Sequence, residues 1–309
     1  MNRGLRAAAS IVLVIVSVPP AWGQDSVPPI RIYSTPTPLA EGTIGWLELD
    51  TDSVTTVISG EAGGESLHLQ HSASGHHRGV IGVPVEVADS FQVSLVLQRG
   101  NRTDTVATLL PVRPAAYPRE VLTVPPAFVK PDSISALRIQ SEIAQSREVS
   151  QRSHERHRLW QGPFVLPRAS RITSRFGTAR VYNGEVQSRH LGTDFAGAVG
   201  APVRAAGRGV VALVADFYLA GRAIYIDHGA GVVTAYFHLS KAEVRQGQTV
   251  NRGQRIGLVG SSGRVTGPHL HWVARYGTIS LDPLSLLTLE QPSPPHETRR
   301  AGAGPRSGQ

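Results

Sequence analysis

Two histidines, His269 and His271, stand at i and i+2 in the run Gly267-Pro268-His269-Leu270-His271-Trp272. Side chains alternate along a strand, so both imidazoles share one face and Leu270 points away. Imidazoles bind metals and move protons near neutral pH, and a same-face pair is a candidate for either task. Upstream, His190 and Asp194 lie four residues apart with Gly192 between them. On a bent, glycine-containing loop this imidazole and carboxylate can turn inward together. Joined to one histidine of the later pair, they make a His, His, Asp set. Three protein ligands with the fourth position left to water is the layout of a catalytic zinc site, whereas a structural site is closed by four. Two neutral imidazoles and one carboxylate leave a bound Zn2+ with net positive charge. It can then lower the pKa of its water to about 7 and polarise a carbonyl, so the set points to hydrolysis. The same ligands also suit nickel, cobalt or copper, with availability deciding.

Other histidines divide between this site and bland roles. His238 ends the β-prone run Val232-Val233-Thr234-Ala235-Tyr236-Phe237-His238; alternation places Tyr236 on its face and makes His238 a candidate neighbour of the metal. His228, in Asp227-His228-Gly229-Ala230-Gly231, reads as turn chemistry outside the site. His68, His71, His76 and His77 fall close together, but no companion carboxylate stands at convincing ligand spacing, and they read as solvated or incidental.

The elements that must position these groups are predicted to be strands. The chain has 309 residues, is 40% hydrophobic and only 17% charged, and is rich in Gly and Pro, which favours two mainly β domains of short strands and turns. There is no cysteine, which excludes disulfides, thiol catalysis and thiolate ligands, so any metal is held by His, Asp or Glu. The formal charge of +8 comes without a Lys/Arg stripe interleaved with aromatics. An anionic cell-surface polymer fits that charge equally well, and no nucleic-acid partner is expected.

Residues 1–23 read as a secretory signal: Arg3 and Arg6, an apolar run closed by Pro19-Pro20, then Ala21-Trp22-Gly23. No later segment is apolar for the roughly 20 residues a spanning helix needs, so no transmembrane segment is expected after signal cleavage. Residues 24–113 hold alternating runs at 45–49, 54–58, 66–70, 80–83, 91–97 and 105–110, the spacing of a small antiparallel β-sandwich. Residues 114–159 are predicted to be a proline-rich linker, the proline-rich stretch beginning at Pro111, followed by a helix. Asp132-Ser133 would cap that helix, which runs to about Arg158 with a solvated, mixed-charge face. Residues 160–287 read as a second β domain, and 288–309 as a disordered tail.

Taken together, the motifs His190-x-x-x-Asp194, Tyr236-Phe237-His238-Leu239 and Gly267-Pro268-His269-Leu270-His271 resemble the lysostaphin-like (LytM-domain) zinc metallopeptidases of bacterial cell walls. Ser174-Arg175-Phe176-Gly177, Asn183-Gly184 and Ala201-Pro202-Val203 add to the likeness, which covers about residues 160–287. The resemblance implies a C-terminal antiparallel β-sheet metallopeptidase domain with one Zn2+ per chain, held by His190, Asp194 and His271. It also implies His238 and His269 as catalytic histidines beside the metal, one taking the proton of the attacking water and the other stabilising the intermediate; of the two, His269 is the expected base. The implied activity is cleavage of amide bonds in peptidoglycan stem or cross-link peptides by an exported enzyme, periplasmic or secreted. The alternative is a non-catalytic regulator of the same fold that binds the wall and activates another hydrolase. The N-terminal domain could dock an envelope protein, occlude the groove or position the enzyme on the wall. The groove walls are expected at 182–189, 217–222 and 261–266.

Overall fold

The computed structural model describes residues 14–16, 30–73, 75–122, 132–182 and 185–289. The expected leader, apart from Val14–Val16, and the tail from 290 lie outside the described residues.

Alternating sequence in the N-terminal part folds as two facing sheets. One runs Val14–Val16, Ile30–Thr35, Ile44–Asp50, His76–Gly82, Gln70–Ala73; the other runs Leu39–Ala40, Arg102–Arg113, Ser90–Arg99, Thr55–Ala62, Glu65–Ser66. Every second residue of Ser90–Arg99 (Phe91, Val93, Leu95, Leu97) is buried against Ile32, Leu47, Leu49 and Ile81 of the opposite sheet. That is the period-two burial of a sandwich, with the outer face of the Ser90–Arg99 sheet wet and the Ile44–Asp50 strand buried on both faces. The strand Arg102–Arg113 runs through Pro111, which pairs with Ser90 near the strand's end. The connection therefore starts later than its first proline, and it is not free of strand: Arg119–Leu122 pairs in parallel with Ala179–Tyr182.

The helix spans Ser133–Arg152 and ends before Arg158, followed by a single 3-10 turn, Ser153–Glu155. Asp132 caps it, accepting from the amides of Ile134 and Ser135. It stops where its chain is tied to the second domain. The Ser153 hydroxyl donates to Asp227 Oδ1 at 2.6 Å, Arg156 Nε donates to Asp227 Oδ2 at 2.7 Å, and Ala230 N donates to the Arg156 carbonyl. The apolar periodicity misleads about which side is inside. Ile134, Leu137 and Ile143 are exposed, whereas Ser146 and Ser150 are buried against the sheet. Small serines let the helix sit close, and Tyr225 donates to Ser146 Oγ at 3.2 Å.

The main sheet of the C-terminal part is antiparallel and ordered Ile172–Ser174, Thr193–Ala196, His269–Tyr276, Val232–Ala242, Gly221–Gly229, Gly209–Phe217, Thr249–Val250, and Ala179–Tyr182 with Glu185–Arg189 forms a separate hairpin. Arg255–Val259 joins Pro202–Arg204 to Val232–Ala242, and Ile279–Leu281 extends His269–Tyr276. A 3-10 helix, Pro283–Thr288, closes the domain, and Leu289 is buried in its core, so packed structure continues past the expected start of the tail. One hydrophobic cluster spans both units: Ile44, Trp46 and Val80 of the sandwich pack with Trp160, Phe164, Trp272 and Tyr276. The rings of Trp46 and Trp160 lie 5.9 Å apart. Apolar burial shared across the boundary fixes the sandwich against the sheet that carries the histidines.

Candidate metal centre

Asp194 sits on the strand Thr193–Ala196, not in a loop, and in antiparallel register its partner is His271. His190 enters just before that strand. It is followed by Gly192, where a Cβ would stand 2.6 Å from His271 Nε2 and 2.7 Å from the Trp272 carbonyl oxygen. Three atoms converge as a result: His190 Nε2 to Asp194 Oδ1 is 3.1 Å, His190 Nε2 to His271 Nδ1 is 3.0 Å, and His271 Nδ1 to Asp194 Oδ1 is 2.7 Å. Among the described residues, His190, Asp194 and His271 form the one group of His and acidic side chains brought together in this way.

Tautomers and charge suit this trio to a cation. His190 Nδ1 donates to the Arg175 carbonyl at 2.9 Å, with Ser174 Oγ 3.1 Å away, which leaves the Nε2 lone pair facing Asp194 and His271. Burial alone would raise the Asp194 carboxyl, but the His190 and His271 rings packed against it outweigh burial and hold the carboxyl well below the usual range. Burial pushes His271 down, toward the neutral ring, against the pull of Asp194. An ionised Asp194 carboxylate and a His271 ring held toward its neutral form suit a cation. A single proton joins two of the three atoms, whereas a cation engages all three. Ligand atoms about 2.0–2.1 Å from a tetrahedral zinc lie roughly 3.3 Å apart, so the cluster needs to open by only a few tenths of an ångström.

His269 and His271 share a face as alternation requires, and Leu270 between them is buried in the core. His269 Nδ1 donates to the Gly267 carbonyl at 2.9 Å, and its Nε2 lies 3.7 Å from Asp194 Oδ1. The ring of His238 stands 4.9 Å from that of His269 and 5.9 Å from that of His271. His238 is buried rather than at a solvent edge, and burial, with His271 nearby, lowers its pKa to about 3. Its Nδ1 donates to the Ser262 carbonyl at 2.9 Å.

Tyr236 does not share the site with His238. His238 has φ of 61°, a left-handed backbone that breaks the alternation and turns its ring to the side of Phe237. Phe237 stacks on His271 at 5.4 Å, while Tyr236 points into the core. There Tyr236 belongs to a chain that ends on His228: Ala206 N donates to Tyr236 OH, which lies 3.0 Å from Thr234 Oγ1, itself 2.8 Å from His228 Nε2. His228 Nδ1 donates to the Arg208 carbonyl at 2.8 Å. His228 thus lies outside the site, as expected, but as a fully buried strut beside the turn.

The N-terminal histidines form no ligand group among the described residues, yet only His71 is exposed. His77 is buried. His76 Nδ1 pairs with Asp50 at 2.7 Å, and His68 Nε2 lies 2.8 Å from His154 Nδ1 across the boundary to the connecting segment. Of the expected groove walls, the turn after Phe217 and the loop at 261–266 meet at His238; residues 183–184 of the third lie outside the described residues. The supports that spacing alone misses are Ser174, Arg175, Phe237 and Ser262. Ser174-Arg175 lay within text shared with the family, whereas the role of Ser262 depends on a carbonyl and carried no side-chain signal.

Comparison with known proteins agrees with this geometry. Peptidase family M23 matches residues 188–283. Peptidoglycan DD-endopeptidase ShyA of Vibrio cholerae is 50% identical over 105 residues, 33% of this chain and 24% of its own length. DD-carboxypeptidase/endopeptidase Mpg of Neisseria meningitidis is 41% identical over 117 residues, 38% of this chain and 27% of its own. The matches thus span about a quarter of those relatives. A crystal structure of an M23 peptidase from Pseudomonas aeruginosa shares the fold more widely, with a TM-score of 0.61 at 22% identity over 81% of this chain and 95% of that one. Residues 188–283, with His190, Asp194 and His271 inside them, are a peptidase family M23 domain.

Proposed function

We propose that this chain is a zinc-dependent endopeptidase that hydrolyses amide bonds in peptidoglycan stem or cross-link peptides in the cell envelope, periplasmic or secreted. The observation that carries the reading is the convergence of His190 Nε2, Asp194 Oδ1 and His271 Nδ1 within 3.1 Å of one another, with two further imidazoles beside them. The identity to DD-endopeptidases over this region supports the substrate class. The leader-like sequence at 1–23 supports export. Among the described residues no helix is long and apolar enough to cross a membrane. An intact ligand set favours an enzyme over a wall-binding regulator of the same fold.

His190, Asp194 and His271 would hold one Zn2+, which when bound polarises the scissile carbonyl and lowers the pKa of water toward about 7. His269 and His238 share one preparation for proton transfer. Each has Nδ1 committed to a carbonyl, of Gly267 and Ser262 respectively, so each keeps a lone pair at Nε2. His269, the less buried, takes the proton of the attacking water. His238 is neutral in the resting site because burial disfavours its charged form. Negative charge developing on the substrate oxygen favours protonated His238, so its stabilisation is felt in the transition state more than in the ground state. Incubating the purified protein with peptidoglycan tests the reading: new peptide ends should form, vanish with chelator and return with Zn2+. Cleavage at the parent rate by His271→Ala would overturn it.

A further inference from the structure

The turn between the strands Gly209–Phe217 and Gly221–Gly229 holds His238 from two directions. The His238 amide donates to the Ala220 carbonyl at 2.9 Å. The same turn locks the loop that receives the His238 ring: Arg264 N donates to the Leu219 carbonyl, Arg222 N donates to Ser262 Oγ, and the Ser262 carbonyl accepts from His238 Nδ1. The two segments are in such close contact that a Cβ at Gly263 would stand 2.4 Å from Gly221 N. A left-handed backbone at a non-glycine residue persists only where its surroundings over-determine it. For His238 those surroundings are this turn and this loop.

The turn is itself gripped from outside the matched family region. Glu142, on the helix Ser133–Arg152, accepts from Tyr218 N with both carboxylate oxygens, at 3.0 and 2.8 Å. Arg138, one helical turn earlier, pairs with Glu142 at 2.7 Å and donates from Nη2 to the Asp216 carbonyl at 3.1 Å. Its guanidinium also lies over the Tyr218 ring at 5.8 Å. A carboxylate bound to a backbone N–H is a charge-assisted contact, stronger than a neutral one.

We propose that Glu142 is a positioning residue for His238, acting through the turn from Tyr218 to Ala220. The helix between the domains then belongs to the catalytic unit. This role rests on the endopeptidase reading, and the experiment has one arm that does not. In the purified protein, Glu142→Ala should lower kcat on peptidoglycan about ten- to a hundredfold, the range for a misplaced catalytic group, with KM and bound metal unchanged. Glu142→Gln, which keeps one acceptor, should recover part of the loss. In a His238→Ala background Glu142→Ala should cost nothing further, because the two substitutions remove one linked function. Independently of activity, hydrogen exchange at the His238 and Arg264 amides should quicken about tenfold in Glu142→Ala. It should stay at the parent rate in Arg152→Ala, which loses only the exposed pair with Glu148. Unchanged exchange at His238 in Glu142→Ala would overturn the proposal, as would a full additive loss in the double variant. A parent protein that leaves peptidoglycan uncut would overturn the endopeptidase reading, and the exchange arm would still decide the role of Glu142.

Discussion

Gly192 and His271 contend for one volume: a single carbon added at 192 would lie 2.6 Å from His271 Nε2, inside any ordinary contact distance. The backbone of Trp272 closes the other side at 2.7 Å, so the imidazole is the part that can yield. Gly192→Ala should therefore swing His271 off Asp194 and reduce bound metal by at least about tenfold, the usual scale for a disturbed ligand shell. The overpacking cost to stability should be about 1–3 kcal/mol. Metal content by elemental analysis, beside a circular dichroism melt, checks both. Full metal occupancy in a folded Gly192→Ala protein would refute the packing account.

Zinc should stabilise the fold in proportion to its occupancy. At a free concentration of 100 times Kd the linkage is worth about 2.7 kcal/mol, which for a chain this size raises Tm by several degrees. The shift should disappear in Asp194→Ala and His271→Ala and persist in His269→Ala and His238→Ala. A thermal scan with and without Zn2+ thus separates ligands from catalytic neighbours without any substrate. Loss of the shift in His269→Ala would make His269 a ligand.

The convergence of His190, Asp194 and His271 was legible because each lies in a short motif: His190 and Asp194 stand four residues apart, and strand alternation carries His269 and His271 to one face. Spacing failed at His238 for a physical reason. One left-handed residue breaks the alternation, exchanging Tyr236 for Phe237 as the neighbour of the site. Hydrophobic pattern failed on the helix, where Ser146 and Ser150 face the sheet beside Val149 while Ile134 and Ile143 face solvent; close approach at the serines sets the inner face. The boundary contacts were beyond local reading, since Glu65 meets Thr278 across 213 residues and Trp46 meets Trp160 through folding alone.

His228 should make the protein weaken in mild acid. Burial lowers its pKa from 6.5 to about 4, because the neutral ring satisfies Thr234 and the Arg208 carbonyl while a charge there is desolvated. The unfolded chain binds the proton first, so this contribution is complete above about pH 6.5 and is lost as pH falls through 4. The full shift corresponds to about 3 kcal/mol, of which about 2 should be gone by pH 5. Urea midpoints from pH 7.5 to 4.5 should fall accordingly in the parent, and the slope should be shallower in His228→Gln. Equal slopes in the two proteins would assign the acid sensitivity elsewhere.

Glu65 ties the sandwich to the M23 domain, and its hydrogen bonds to Thr278 and His154 should matter more than its charge. The buried carboxylate accepts from Thr278 N at 2.7 Å, from the Thr278 hydroxyl, and from His154 Nε2 at 2.9 Å; His154 Nδ1 in turn meets His68 Nε2. Burial alone would raise the Glu65 pKa, but the hydrogen bonds from His154 and Thr278 outweigh it and lower it. Its stabilisation is therefore present above the unfolded carboxylate pKa and lost as pH falls through the folded one. Glu65→Ala strands the Thr278 amide and the His154 ring in a buried boundary, a loss of about 3 kcal/mol. In Glu65→Gln the amide oxygen can still accept from Thr278, while its NH2 donates to His154 Nε2 once that ring moves its proton to Nδ1 and donates onward to His68. That variant should lose only about 1 kcal/mol and should lack the acid-dependent step below about pH 4.5. Denaturant titrations of the three proteins at pH 7 and pH 4 measure both effects, and a Glu65→Gln protein as weak as Glu65→Ala would show that charge, not hydrogen bonding, holds the two domains together.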